Sequence, residues 1–352
     1  MISFDHTSLG QRVLFGSGRA SENIRTAVDS LGAKRLLLIA DGFASETADA
    51  VSEQLDVAAR ISDIVQHVPT ENATAALALA TEHAVDAVIS IGGGSATGLA
   101  KVVARDTGLP VIAVPTTFAG SEATDVWGQT DGNRKTTGSN PSVLPKVVVY
   151  DATLSSSLPA RLAVASGLNA VAHAVDGFWA PRADPINTAL GTEGLRALIP
   201  GLRALAADPD DLDARERTLY GAYLAAVAFA SAGSGMHHKI CHVLGGAYGL
   251  SHSEMHAIVL AHVTAFNAPV ARDAADRVSQ ALGGRPAAAG IDELRSDLGI
   301  VGSLAELGMP EAGIDEGAEL AFEVIPASNP RPFTLDQVRA VVRDAWAGAT
   351  IS

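Results

Sequence analysis

An α/β nucleotide-binding domain with a mostly parallel sheet, followed by an all-α domain, is the fold class this sequence predicts. Three observations lead there. Short apolar, β-rich runs alternate with helical patterns through the first half, the signature of βαβ units covered on both faces. The strand signal stops after Pro159, and alanine- and leucine-rich helical segments continue almost to the end. At 352 residues the chain exceeds a usual single core, so two domains are expected, 1–155 and 156–352.

In order, strands are predicted at Arg35–Ala40, Ile61–His67, Ala87–Ile91, Val111–Val114 and Val147–Tyr150. Between them, helices are predicted at Ser21–Leu31, Ser45–Gln54, Glu71–His83 and Ala96–Asp106. The polar stretch Asp131-Gly-Asn-Arg-Lys-Thr-Thr-Gly138, with Asp125 near it, reads as a hairpin turn, and Arg134 or Lys135 is a weak candidate for substrate contact. Pro181, Pro200, Pro269, Pro310 and Pro326 are expected to punctuate the helices of the second domain. Pro286-Ala-Ala-Ala-Gly290 is expected to be a loop leading into a helix.

Composition limits the function. A formal charge of −14 leaves no basic stripe to displace phosphate counterions, so a nucleic-acid partner is not expected. The single cysteine, Cys241, excludes an internal disulfide and suits a reducing compartment. Met1-Ile-Ser-Phe-Asp-His6 has no charged leader before an apolar run, and no uncharged stretch is long enough to span a bilayer. A cytoplasmic protein with no membrane partner is the expectation.

Gly92-Gly-Gly-Ser95 follows one predicted strand and opens a helix. Glycines let backbone approach a phosphate, and a helix N-terminus supplies unpaired N–H groups with a favourable dipole. The motif is neither the G-x-G-x-x-G fingerprint nor a Walker loop, and by itself a tight turn explains it equally well. Its strand–turn–helix context makes Gly92, Gly93, Gly94 and Ser95 candidates for a pyrophosphate cradle. Asp41 ends an earlier strand, where a carboxylate can accept both ribose hydroxyls and repel a 2′-phosphate. NADH is therefore expected, with NADPH the open alternative; the bland reading of Asp41 is a helix cap. Thr116, Thr117 and Ser121 follow another strand with hydroxyls suited to cofactor contacts, and Lys146 is placed within reach of the same edge.

Six of ten histidines fall between His237 and His262. His238 and His242 are four apart, as are His252 and His256, and Asn169 and His173 repeat the interval. One helical turn separates the members of each pair, so each shares a helix face and can converge on one cavity. A lone apolar-face histidine is usually a core residue; three such pairs point instead to a catalytic centre. His237 and Lys239 flank the inward positions and have the solvent-facing alternative. Cys241 reads as a packed thiol, since no base arrangement is evident.

Gly92-Gly-Gly-Ser95, Pro115-Thr-Thr-Phe-Ala-Gly-Ser-Glu-Ala-Thr124, Lys146 with Tyr150-Asp-Ala-Thr-Leu154, and the paired histidines together resemble the iron-containing (group III) alcohol dehydrogenases over nearly the whole chain. Met236-His-His-Lys-Ile-Cys-His-Val-Leu-Gly-Gly246, His252-Ser-Glu-Met-His-Ala-Ile-Val-Leu-Ala-His262 and Asn329-Pro-Arg-Pro332 are most similar to the maleylacetate reductases among them. The resemblance implies the dehydroquinate synthase-like fold of that superfamily, an NAD(P)H-dependent reduction of a small dicarboxylate, and a homodimer, with strand pairing through Met1–Leu14 as its route. In metal-dependent relatives an aspartate and three histidines bind iron or zinc. The matching positions here are Asn169, His173, His238 and His252. An amide adds no charge to attract a dication, so the resemblance is read with a metal-free site. His237, His238, Lys239, His242, His256 and Arg331 are then expected to form a cationic reception site for a dianion. Rival readings are a metal-dependent alcohol or polyol dehydrogenase of the same superfamily and a lyase resembling dehydroquinate synthase.

Overall fold

The computed structural model describes residues 2–66, 68–132 and 134–351, with the side chains of Arg134 and Lys135 outside the described set. The chain forms two compact units, Leu9–Pro159 and a second comprising Ala160–Ser352 with the first residues of the chain.

In the first unit six strands form a parallel sheet. They are β1 (Arg12–Phe15), β2 (Leu36–Ala40), β3 (Val57–Ile61), β4 (Ala87–Gly92), β5 (Val111–Pro115) and β8 (Val147–Tyr150), in the order β1-β8-β5-β4-β2-β3. Helices α1 (Ala20–Leu31), α2 (Ser45–Gln54), α3 (Thr70–Glu82) and α4 (Gly94–Thr107) connect them. Alternation along β2 sends Leu36 and Leu38 into one core with Ile24, Ile89 and Val149. Leu37 and Ile39 go into another with Val88, Leu99 and Val103. A strand buried on both faces must read as a continuous apolar run, which is why the central strands are plain in the sequence.

The edge strands are not. The strand expected at Ile61–His67 forms at Val57–Ile61, and His67 lies outside the described residues. Alanines at 58 and 59 weaken the β signal there, and pairing with β2 (Leu36 opposite Val57) decides the matter. β1 was not expected as an intrachain strand; it pairs in parallel with β8, Arg12 opposite Val147. An antiparallel hairpin, β6 (Val126–Asp131) with β7 (Arg134–Ser139), spans the predicted turn. Asp125 accepts a hydrogen bond from Ser139 Oγ at 2.8 Å, a local hairpin role, while the Arg134 and Lys135 side chains lie outside the described set.

The second unit is helical among its described residues. The helices are α5 (Ala160–Gly177), α6 (Pro185–Ala207), α7 (Leu212–Ala232), α8 (Met236–Tyr248), α9 (His252–Asn267), α10 (Arg272–Ala281), α11 (Ala287–Asp297), α12 (Gly313–Val324) and α13 (Leu335–Ala347). Pro200 does not break the chain: it lies inside α6. Glycine-lined contact with α7 explains the tolerance, since a Cβ on Gly201 would meet Thr218 Oγ1 at 2.7 Å and one on Gly221 would meet Gly194 O at 2.8 Å. Burial of that close face outweighs one lost backbone bond. The Pro286–Gly290 stretch is mostly first helical turn rather than loop, with Gly290 N donating to Pro286 O. His6 Nδ1 lies 2.8 Å from Asp184 Oδ2, tying the start of the chain to the residue that caps α6.

Candidate active site

The glycine turn is built as the sequence implies. Gly92 ends β4 at φ +152°, Gly93 precedes α4, and Gly94 opens it with no side-chain cap on its first turn. Uncapped first-turn amides at a helix N-terminus form an anion site. Side chains crowd the turn: a Cβ on Gly92 would lie 2.5 Å from Asp41 Oδ2, and one on Gly93 would lie 3.0 Å from Thr117 Cγ2. Asp41 and Thr117 therefore border the glycine backbone directly. Asp41 also accepts from Ala44 N at 3.2 Å, so the capping role and the site position coexist.

Thr116 continues from β5, its N–H bonded to Gly92 O at 3.1 Å. The loop through Ser121 is fixed from beneath. Lys101 of α4 is fully buried, and its Nζ donates to Ser121 O, to Val126 O at 2.9 Å and to Thr124 Oγ1 at 3.0 Å. Burial pulls that amine down to about 7, against the carboxylates of Glu122 and Asp125, which raise it. Glu122, buried, accepts from Tyr150 Oη at 2.7 Å, and burial pushes its carboxyl upward.

Lys146 requires correction. Its N–H bonds Val111 O at the start of β5, whereas Thr116 follows that strand's end. In a parallel sheet these are opposite edges, roughly 16 Å apart for five residues of strand. Lys146 is exposed at the edge away from the glycine turn.

In the second unit the histidines of the three predicted pairs converge. Ring centres lie 5.1 Å apart for His173 and His238, 4.8 Å for His238 and His256, 4.3 Å for His252 and His256, and 6.0 Å for His238 and His242. His237 joins at 4.9 Å from both His238 and His256, so it is buried within the cluster rather than solvent-facing. His242 and His252 are exposed and Lys239 is half-buried. His262 is apart, with Asp344, Asp292 and Arg295 as its charged neighbours. Cys241 is a buried thiol that burial pushes well up, as the packed reading expects.

Asp176, one turn beyond His173 on α5, organises the cluster and was missed in the sequence. Its carboxylate accepts from Gly235 N at 2.8 Å, His237 N at 3.2 Å, Trp179 Nε1 at 3.1 Å and His238 Nδ1 at 2.9 Å. It thus caps α8 from another helix and fixes the His238 proton on Nδ1, leaving Nε2 as a lone pair. Gly235 permits the approach, because a Cβ there would lie 2.6 Å from Asp176 Oδ1. The i+3 spacing from His173 was the available signal, hidden among apolar neighbours.

The electrostatics overturn a cationic reception site as drawn. Burial, then the neighbouring imidazoles, holds His237, His238 and His256 well below the usual histidine range. Burial lowers His173 to about 4. The buried rings are held towards the neutral form, so they do not make a cationic site. Arg331 does not join them. Its guanidinium lies 4.3 Å over the Phe266 ring and donates to Phe266 O at 3.0 Å, at the far end of α9, roughly 20 Å along the helix from His252. Asn329 is similarly engaged, in a reciprocal amide pair with Asn267 at 3.1 and 2.9 Å.

The comparisons with known proteins converge on one family. "Iron-containing alcohol dehydrogenase" matches residues 10–152, and "Fe-containing alcohol dehydrogenase family, C-terminal" matches residues 163–346. The chain belongs to the iron-containing alcohol dehydrogenase family. It is 42% identical to a maleylacetate reductase of Sphingobium indicum, over 99% of this chain and 98% of that one. An iron-containing alcohol dehydrogenase structure from Corynebacterium glutamicum superposes with TM-score 0.96 at 45% identity, covering 99% and 98% of the two chains. A maleylacetate reductase structure from Agrobacterium tumefaciens gives 0.94 at 36%, with both chains fully covered.

Membership in an iron-containing family removes the ground for expecting a metal-free site, and unsatisfied donor atoms at the family's positions are consistent with a dication. Asn169 Oδ1, His173 Nδ1 and His238 Nε2 are buried without a hydrogen-bond partner among the described residues. Asp176 behind His238 is the outer carboxylate that metal-bound imidazoles usually have. Asn169 remains the weak member, because it brings no charge.

Proposed function

We propose that this chain is a maleylacetate reductase, using NADH to reduce the C=C bond of 2-maleylacetate to 3-oxoadipate. The observation that carries the reading is the imidazole constellation itself, in a chain with maleylacetate reductases among its relatives at about 40% identity. Asp41 and the Gly92–Ser95 turn hold the dinucleotide, with Thr116, Thr117 and Ser121 lining it. Hydride adds to the alkene carbon β to the ketone and leaves an enolate. A proton then completes the α carbon, so one NADH and one proton are consumed per product.

Lys239, His242 and His252 supply N–H donors to the enolate oxygen and the carboxylates. His238, its tautomer set by Asp176, presents a lone pair, with His173 and His256 beside it. A dication held by Asn169, His173, His238 and His252 would act as a Lewis acid on the ketone oxygen.

The deciding test is NADH oxidation with maleylacetate, simple aldehydes and glycerol, each with and without added metal. Turnover confined to aldehydes or glycerol sinks the proposal. The unpartnered His238 Nε2 backed by Asp176 favours one second reading, a metal-dependent dehydrogenase of the same family. Elemental analysis and chelator treatment separate the two: maleylacetate turnover is expected to persist in chelator, carried by the Lys239, His242 and His252 donors, whereas a metal-dependent dehydrogenase loses its activity. We also propose a homodimer formed along the outer edge of β1, tested by light scattering of the wild type against a Val13→Pro variant, since the N–H of Arg12 already pairs with Lys146 O inside the sheet.

A further inference from the structure

Beside the family's metal positions lies a second group of ligand atoms. His237 and Cys241 are one turn apart on α8, and His256 approaches from α9; all three are fully buried. His237 Nε2 is 3.0 Å from His256 Nδ1 and 3.8 Å from Cys241 Sγ, and the three atoms lie within 4.8 Å of one another. Tetrahedral zinc with nitrogen ligands at ~2.0–2.1 Å and thiolate at ~2.3 Å spaces its ligand atoms roughly 3.3 Å (N to N) and 3.6 Å (N to S) apart. Two of the three separations are thus near coordination spacing before any ion binds, and the third needs at most a side-chain adjustment of about an ångström. Among the described residues it is the one set of three His, Cys, Asp or Glu side chains so gathered; His173, His238 and His252 are not.

We infer that His237, Cys241 and His256 form a binding site for a thiophilic divalent cation such as Zn2+, Co2+ or Cd2+, distinct from Asn169, His173, His238 and His252. Mixed imidazole and thiolate ligands select such ions over Mg2+ or Ca2+. Loading is chemically balanced. The hydrogen bond between the two rings is replaced, and each ring carries its proton on the outer nitrogen, His237 Nδ1 and His256 Nε2. Those atoms are buried and free of partners among the described residues, so the outer protons carry a desolvation cost that the metal bonds must offset. The thiol proton leaves to solvent, one per ion bound. A solvent oxygen completes the coordination.

Titrating the metal-stripped full-length protein with Co2+ tests this directly. A near-ultraviolet thiolate-to-cobalt charge-transfer band saturating at one equivalent is expected. It should vanish in Cys241→Ser and persist in His173→Gln. Absence of cobalt binding, cobalt bound without that band, or a band lost in His173→Gln and kept in Cys241→Ser would each overturn the assignment. X-ray absorption of the zinc-loaded wild type needs no variant, and a shell lacking sulfur at ~2.3 Å also overturns it. Neither readout uses NADH or substrate, so failure here is distinguishable from failure of the proposed reduction.

Discussion

The glycine turn of the first unit and the histidine cluster of the second solve opposite problems. At Gly92–Ser95 the working groups are main-chain amides, and the side chains matter by being absent. In the cluster the backbone is ordinary helix, and everything useful is carried by imidazoles pressed together in apolar surroundings. The lesson is about failure: the turn is vulnerable to any added atom, whereas the cluster is vulnerable to any lost one.

Deletions in the cluster should therefore give the largest effects, and they should fall on turnover. Removing a preorganised donor typically costs about two to three orders of magnitude in rate. His242→Ala and, separately, His252→Ala are expected to lower kcat/KM for maleylacetate by that factor with NADH affinity unchanged. Equal loss of NADH affinity in either variant would erase the contrast between the two regions.

Additions to the turn come next and should act on cofactor binding. Gly92→Ala combines φ +152° with contact at 2.5 Å, Gly93 has 3.0 Å, and Gly94 has 3.9 Å to its nearest neighbour. Damage should fall in that order. Gly93→Val is expected to raise KM for NADH at least about tenfold, or about 1.4 kcal/mol, in a folded protein. A folded Gly93→Val enzyme with unaltered NADH affinity removes the cradle assignment.

A smaller effect is thermodynamic. Burial, aided by His252, lowers folded His173 to about 4 from 6.5. Between those values the unfolded chain binds a proton that the folded chain refuses, so stability is complete above about pH 6.5 and is lost as pH falls towards 4. One such group contributes at most about 1.4 kcal/mol per pH unit in that window. In chelator-treated protein, His173→Asn should show a shallower fall of unfolding midpoint with acid than the wild type. An unchanged slope would mean that His173 is not the group responsible.

The smallest effect expected is His83→Ala. His83 follows α3 in the first unit, and it is its carbonyl, not its ring, that accepts from Arg35. Stability should stay within about 0.5 kcal/mol and kcat/KM should not move. If this imidazole mattered as much as His242, the cluster would lose its claim to be the centre.

What was legible in the sequence follows from how each feature is encoded. Central strands announce themselves because both faces are buried, while β3, with Ala58 and Ala59, waits for its partner to define it. The histidine pairs were visible since helical spacing needs no tertiary knowledge. Asp176 was not, because its donors on α8 come from residues 59 to 62 positions away. Lys146 and Arg331 failed for a related reason. Position along a strand or helix, which fixes the end at which a side chain emerges, is set by register rather than by residue type. The neutrality of the buried imidazoles likewise depends on burial, which no spacing reveals.

Asp176 has a final consequence, for how this enzyme can change over time. The same carboxylate seats the start of α8 and chooses the tautomer of His238, so folding and chemistry share one point of failure. A lineage can trade His242 or Lys239 for new substrates one step at a time. At position 176 it has no half-way house, and screens for stability and screens for activity should both converge on retaining it.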